Sequence, residues 1–346
     1  MSKSVAVSAA ALLAAAIAAP AYASPTYSAA EILGTFDAIT QSSIVSHGGD
    51  MNSVWLTGGN MVMNGNTISV NGSGNGTALA NPSGTFAGYG VLNAYGSMTG
   101  GGSFNVNNTG YNFNLGGSNS GNTQFNGGKA ANTGYSFPAS SFTNAFWTPL
   151  LALQTSLSGL AANNTATSPS VNQNLTINGA GLHTNANGIA VFDISASELN
   201  RYTSVNITPA ANQTVLINIT GLGTGSFTGN MNFSGGDGTT NATNVIWNFG
   251  AATSVTLGNW DGTVLAPDAT VSQDNGQLDG AIVAKVWNQG TNELHNDTIS
   301  TNTQTALTNL GGGSNSQPNV VPEPASFALL GLGLAGLAGL RRRRRA

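Results

Sequence analysis

Residues 262–285 read GTVLAPDATVSQDNGQLDGAIVAK. Short apolar runs at 263–266, 269–271 and 280–284 contain β-branched residues, and Pro, Asp, Asn and Gly separate them. Such a pattern is typical of short strands that stack, each burying its inward Val, Ile or Leu against the next. The stretch therefore predicts an all-β domain, either a β-solenoid or a β-sandwich made from the same strands.

The rest of the chain has the same character, with two exceptions. Residues 29–40 carry apolar side chains at helical spacing. Ser28, directly before this stretch, and Glu31 form a capping-box pattern. Residues 141–162 repeat Phe and Leu in threes and fours, and Pro149 predicts a kink or two short helices packed along a sheet. Strand patterns occur at 67–70, 103–106, 111–115, 175–177, 189–194, 214–219, 226–233 and 244–249.

Composition excludes several classes of protein. The chain of 346 residues has 47 Gly, no Cys and 6% charged residues, against about 25% charged residues in typical domains. Between the two termini only Lys129, Arg201 and Lys285 are basic, against twelve acidic residues, a net charge of −9. Without a basic patch, nucleic acid is excluded as a partner. Contact with a membrane is expected only through the C-terminal tail, before that tail is cleaved.

The N-terminus has the pattern of a secretory signal. Lys3 precedes an apolar stretch over 5–19, and Ala21 and Ala23 flank Tyr22 in a small-x-small cleavage pattern. We therefore expect residues 1–23 to be a signal peptide and the mature chain to begin at Ser24.

The C-terminus combines a rigid motif, a short apolar helix and a basic cluster. The motif is Val321, Pro322, Glu323 and Pro324, and the cluster is Arg341, Arg342, Arg343, Arg344 and Arg345. Five arginines hold this end on the cytoplasmic side of a bilayer. The tail resembles the PEP-CTERM sorting signal of Gram-negative bacteria, which implies an exosortase as processing partner. A tail-anchored membrane protein is the alternative.

These signals predict four segments. A signal peptide occupies 1–23, the β domain 24–310, a linker 311–320 and the sorting tail 321–346, which includes a short transmembrane helix. We expect the protein to be secreted across the inner membrane and to be located at the cell surface or in the extracellular matrix of a Gram-negative bacterium.

Several motifs of the domain resemble the choice-of-anchor A family of secreted bacterial proteins. The motifs that carry the resemblance are NVIWNF at 244–249, GTVLAPDA at 262–269, GAIVAK at 280–285, ELHN at 293–296 and, near the start, ILGTF at 32–36 followed by GGN at 58–60. The resemblance covers about residues 28–300, although MNSVWL at 51–56 lacks an expected Arg. It implies a right-handed β-solenoid (β-helix) and a role as an adhesin, and the helical pattern at 141–162 adds a flanking α-helix to this prediction.

Catalytic chemistry has little support in the sequence. The densest carboxylate group is Asp261, Asp268, Asp274 and Asp279, and Lys285 is its only basic neighbour. The intervals between these aspartates are those expected if each lies at one of several successive turns, where Asp is a common residue. His47, His183 and His295 lack spaced partners and are expected at turns or on the surface. We therefore predict no catalytic, cofactor-binding or metal-binding residues, and leave open a single calcium-like turn at Asp237.

The predicted function is structural or adhesive. A surface of Thr, Asn and Gly with little charge suits many weak hydrogen bonds to exopolysaccharide in a biofilm matrix. Trp260, beside a turn, is the tryptophan expected to be exposed, and Trp247 is expected in the core. The alternatives are a polysaccharide-modifying enzyme and an ice-binding β-solenoid with a flat Thr-bearing face.

Overall fold

The structure is a computed structural model and describes residues 25–70, 79–108, 110–121, 123–127, 129–166, 174–229, 231–233, 242–274 and 276–312. All of them fall within one compact unit, Ser24–Asn315. The signal peptide, its cleavage site at Ser24, the turn at Asp237 and the sorting tail lie outside the described residues.

The chain is mostly β, with parallel strands in a large sheet and few helices. Its strands are β1 (Ala38–Ser46), β2 (Gly49–Met51), β3 (Trp55–Thr57), β4 (Asn60–Val70), β5 (Leu92–Ala94), β6 (Met98–Val106), β7 (Phe113–Leu115), β8 (Gln124–Asn126), β9 (Asn174–Asn178), β10 (Ile189–Ser195), β11 (Ser204–Thr208), β12 (Thr214–Thr220), β13 (Ser226–Gly229), β14 (Asn232–Phe233), β15 (Val245–Asn248), β16 (Ser254–Leu257), β17 (Trp260–Asp261), β18 (Thr263–Gln273), β19 (Leu278–Asp279) and β20 (Ile282–Gln289). The eight strand patterns expected outside 262–285 coincide with β4, β6, β7, β9, β10, β12, the pair β13 and β14, and β15.

Every strand pairing among the described residues is parallel. A β-sandwich is built from antiparallel strands, so this pairing disfavours the sandwich alternative. The longest path through the large sheet runs β10-β12-β15-β18-β20-β1-β3-β5-β7.

The first and last strands of the domain lie side by side in this path. Strand β1 pairs with β20, with Ala38 opposite Ile282. Ser46 Oγ donates to Gln289 Oε1 at 2.7 Å across the same junction, although the two residues are 243 positions apart. The N-terminal strands therefore stack directly on the C-terminal ones.

Tryptophan pairs fill the core on the inward face. The rings of Trp55 and Trp287 meet edge to face at 5.2 Å across the junction, and those of Trp247 and Trp260 lie 4.9 Å apart. The expectation that Trp260 is exposed is wrong: only 1% of its surface is accessible. Trp260 begins a short strand, β17, whose inward position it occupies.

The helices α1 (Ala29–Leu33), α2 (Thr148–Ser158), α3 (Ala196–Leu199) and α4 (Thr301–Leu307), all within the described residues, accompany the strands. The capping box of Ser28 and Glu31 forms as predicted. The expected extension of this helix to residue 40 is wrong, because Gly34 ends α1 and β1 begins at Ala38. Pro149 lies in the first turn of α2, directly after a π-helical segment at Thr143–Trp147, so the predicted interruption is present.

Helix α2 covers only one part of the long strands. In β18, the residues Thr263–Ala266 beneath the helix are buried on both faces, whereas the side chains from Thr270 to Gln273 alternate between buried and half-buried. The strand bends between these parts, where the register with β20 shifts. One long surface of the sheet is therefore open to solvent.

Candidate functional site

The open surface of the sheet carries two straight rows of short side chains. The first row, in register across six strands, is Ser226, Ser254, Thr270, Val286, Ser43 and Asn60. The second row is Thr228, Thr256, Ser272, Asn288, Val45, Val62 and Thr99. We call these thirteen residues the ladder face. All of them are exposed or half-buried.

Strand geometry fixes the spacing of the ladder face. Parallel neighbours lie about 4.8 Å apart, and residues two apart along a strand are separated by about 6.6 Å. The residues between the two rows, such as Val255, Val271 and Trp287, point inward and are buried. The result is a two-row grid of hydroxyl, amide and methyl groups.

The chemistry of the ladder face is uniform. Neither row contains a charged or an aromatic residue. Hydroxyl and amide groups donate and accept hydrogen bonds, and the Thr and Val methyl groups add apolar contact. One bond runs within a row, from Asn288 Nδ2 to Ser272 Oγ at 3.3 Å. Such a surface can meet a flat, repetitive ligand at many equivalent points.

A second polar feature lies where the short strands β17, β19 and β2 align with residues 293–295. Leu294 bridges to Leu278 and to Met51, and all three side chains are buried in the core. Side chains alternate along a strand, so the residues that follow them point to the opposite side. The group on that side is called the acidic corner and comprises Asp261, Asp279, Glu293, His295 and Asp297.

His295 is the centre of the acidic corner. Its Nδ1 lies 2.5 Å from Asp279 Oδ1 and its Nε2 lies 2.7 Å from Glu293 Oε2, so each ring nitrogen faces a carboxylate. Those contacts raise the pKa of His295 to about 9; the Asp279 hydrogen bond is the largest cause, and burial opposes it. The ring is therefore held as an imidazolium at neutral pH.

Two further carboxyl groups, Asp297 beside His295 and Asp37 beside Asp297, have raised pKa values. Burial, with a contribution from the charge of Asp279, raises the pKa of Asp297 to about 6, and His295 opposes the shift. Burial also raises the pKa of Asp37 well above its usual range. The hydrogen bond that the Val54 amide donates to Asp37 Oδ2 at 2.9 Å opposes this shift. The charge of Asp297 adds to the shift of Asp37, so these two acids lie near each other.

An open polar depression of about 430 Å³ adjoins the acidic corner. It is lined by Asn259, Gly276, Gln277, Asn292 and Glu293. Gln277 Nε2 donates to Asp279 Oδ1 at 3.2 Å, which connects the depression to the corner. Solvent therefore reaches Glu293, whose side chain is 42% exposed, while His295 beneath it is 4% exposed.

The structure divides the four aspartates that the sequence grouped. Asp261 and Asp279 are partners in adjacent strands, whereas Asp268 and Asp274 are exposed elsewhere. Lys285 is also exposed, on β20. The carboxylates that do converge are Asp279, Glu293 and Asp297, around His295.

Among the three histidines, the surface expectation is confirmed for His47 and His183 and wrong for His295, which is buried. Sequence reasoning considered His295 alone and overlooked the alternation Glu293-x-His295-x-Asp297. Residues two apart lie on the same face of an extended segment. That alternation was the available signal for the acidic corner.

Comparison with known families now identifies the domain. Residues 29–296 match the model of the family described as "Putative Ice-binding-like adhesive domain". The chain belongs to this family. Membership supports an extracellular surface protein with an adhesive or ice-binding-like domain. Choice-of-anchor A was not the family matched, so that narrower assignment stays an interpretation of the sequence.

The tail matches a second model. Residues 320–344 match the PEP-CTERM protein-sorting motif, as the sequence predicted. This motif implies exosortase-type processing and secretion to the envelope or surface of a Gram-negative bacterium. Within the described part of the chain, no helix has the length and apolar character needed to cross a membrane.

The solved structures that resemble this chain include ice-binding proteins. One is from the Antarctic ascomycete Antarctomyces psychrotrophicus, with 14% identity over 78% of this chain and 98% of that chain and a TM-score of 0.35. Another, from an Antarctic biological consortium, has 14% identity over 78% and 91% of the two chains and a TM-score of 0.33. No curated protein matches the sequence.

Proposed function

We propose that this protein is a non-enzymatic adhesin or structural protein of the extracellular matrix, which binds exopolysaccharide through the ladder face. The single observation that carries the proposal is the pair of solvent-accessible rows, in register across six strands and without any charge. In the proposed architecture the parallel strands wind as a right-handed β-solenoid, with α2 as the flanking helix.

The physical argument concerns the cost of desolvation. Removing charged groups from water is expensive unless they are paired, whereas short hydroxyl groups exchange water for ligand hydrogen bonds at little net cost. Each such bond contributes little, and a repetitive polymer can form many of them at once. The tryptophans Trp55, Trp247, Trp260 and Trp287 are all in the core, so the proposed contact depends on hydrogen bonds and methyl groups rather than on aromatic stacking.

The proposed organisation places this domain outside the cell. The signal peptide 1–23 would be removed before Ser24, and the exosortase would cut at or near Pro322-Glu323-Pro324. The domain 24–310 and the linker 311–320 would remain on the surface or in the matrix of a biofilm.

Substitutions on the ladder face test the proposal. The double variant Thr256→Lys, Ser272→Lys places two long cationic side chains in the second row, and we expect it to lose most binding to exopolysaccharide from the producing bacterium. Thr176→Lys is the matched control, because Thr176 is an exposed threonine on β9, in a different sheet. Equal binding by the parent and the double variant, measured by co-sedimentation, would overturn the proposal.

Ice is a second candidate ligand. The same observation favours it, because regularly spaced hydroxyl and methyl groups on a flat surface suit an ordered layer of water. Inhibition of ice recrystallisation by the parent, and its loss in the double variant, would support this candidate over polysaccharide.

The polysaccharide-modifying enzyme remains the alternative of a different class. Its residues would be those of the acidic corner, beside the open depression. Incubation with exopolysaccharide followed by a reducing-end assay tests it directly. New reducing ends that disappear in Glu293→Gln would overturn the non-enzymatic proposal.

A further inference from the structure

The acidic corner has the composition of a metal site as well as of an ion-pair network. One ligand atom each from Asp279, His295 and Asp297 can be chosen so that all three lie within 4.8 Å of one another. Two carboxylates and one imidazole form a common ligand set for a divalent transition-metal ion. These three residues come from β19 and from the segment that follows Leu294.

A further buried oxygen, in a neighbouring register position, has no hydrogen-bond partner among the described residues. Asn52 follows Met51, whose bridge to Leu294 places Asn52 next to His295 on the same side of the ladder. Asn52 is 5% exposed, and its Oδ1 has no hydrogen-bond partner within the described residues. A buried carbonyl oxygen without a partner is costly, and a bound cation would satisfy it.

The outer contacts of His295 match those of a metal-bound histidine. A histidine ligand usually donates its second ring N–H to a carboxylate, which fixes the ring and strengthens the ligand. Here Nε2 lies 2.7 Å from Glu293 Oε2, while Nδ1 faces Asp279. Glu293 would thus orient the ring, and Nδ1 would be the coordinating atom.

We propose that Asp279, His295 and Asp297 bind a divalent transition-metal ion of the zinc class, with Asn52 Oδ1 as a further oxygen ligand. On binding, the ion takes the place of the proton between Nδ1 and Asp279, and that proton passes to solvent. Calcium fits less well, because it selects oxygen ligands and the imidazole nitrogen is central here.

The site would join parts of the chain that are distant in sequence. Asn52 follows β2, near the start of the domain, whereas the other ligands lie in its last third. The chain has no cysteine and hence no disulfide. A metal bound only by the folded state stabilises it by mass action, so the ion would act as a cross-link in an extracellular protein.

The untagged full chain is first stripped of metal with EDTA. Titration of this protein with Zn²⁺, measured by calorimetry and by thermal melts, tests the proposal. We expect one saturable Zn²⁺ per chain and a rise in Tm. His295→Gln and Asp297→Asn should each weaken binding by at least about tenfold, and Glu293→Gln should weaken it by about 10- to 100-fold. His183→Gln and Asp268→Asn are matched controls, because both residues are exposed outside the corner. Absence of saturable binding, or unchanged affinity in His295→Gln, would overturn the proposal.

X-ray absorption of the zinc-loaded parent keeps the test valid if a corner variant fails to fold. One imidazole with oxygen ligands is the expected coordination. A spectrum with two imidazoles, or with none, would contradict the assignment.

Discussion

Asn248 donates a hydrogen bond from its Nδ2 to Oδ1 of Asn218, 2.8 Å away on the neighbouring parallel strand. Asn218 in turn donates to Asp193 Oδ1 at 3.3 Å. A second series of amide hydrogen bonds lies at the other end of the same row of paired residues, where Asn132 donates to Asn114 and Asn114 donates to Asn93. These two series satisfy buried amides strand by strand, and they hold the strand register that the ladder face requires.

We predict that Asn218→Ala destabilises the domain by about 1–3 kcal/mol, because it leaves the buried Asn248 amide without one of its partners. Asn126→Ala is the control: Asn126 donates to Asn105 Oδ1 at 2.7 Å, but on an exposed surface. We expect the control to change stability by less than about 0.5 kcal/mol. Urea denaturation of both variants measures the difference, and equal losses would contradict a role for burial.

Leu265→Asp should cost about 3 kcal/mol or more, because it puts an unpaired carboxylate into the core of β18. Leu265 is 1% exposed and lies between Asn248 and Val283 in register. Asp268→Asn, on the same strand but exposed, should melt like the parent. A Leu265→Asp variant with an unchanged Tm would mean that β18 is not part of the core.

Much of the local structure was predictable, because alternation within a strand is a local property. The runs at 263–266 and 280–284 are predictable as strands because short apolar, β-branched stretches lie between turn residues. The capping box of Ser28 and Glu31 was predictable for the same reason. By contrast, the pairing of Ala38 with Ile282 depends on the whole path of the chain, and no local pattern indicates it.

The errors have physical causes too. Trp260 lies next to turn residues, which suggested exposure, but the turn directs its ring inward against Trp247. His295 was considered apart from Asp279, which is 16 residues earlier and becomes its neighbour only when parallel strands align. The ladder face was anticipated as a Thr-bearing face, but its rows depend on the register of strands far apart in sequence.

Replacement of the arginines at 341–345 by Ser should block sorting, because the tail would lose the charge that retains it on the cytoplasmic side. Precursor should then accumulate, as seen by blotting of membrane and medium fractions. In the parent, the intact mass of the secreted form should correspond to a chain cut near Pro324. A secreted parent that still carries Arg341–Arg345 would contradict exosortase processing.

The metal-free protein should lose stability as the pH rises from 7 to 9.5. The folded-state pKa of His295, about 9, lies above its ordinary value of about 6.5. The stabilisation is therefore complete below about pH 6.5 and disappears as the pH passes through 9. The groups that face the ring are Asp279, Glu293 and Asp297. Thermal melts in EDTA should show a smaller decline for His295→Gln, with His183→Gln matching the parent.

Hydroxyl-radical footprinting of the protein bound to exopolysaccharide tests the central claim most directly, because it locates the contact surface without any substitution. Val45, Val62 and Val286 lie in the two rows and are half-buried in the free protein. We predict that bound polymer protects these three valines and leaves peptides of the acidic corner and of α2 unchanged. Protection confined to the depression beside Glu293, with no change at the three valines, would contradict the account.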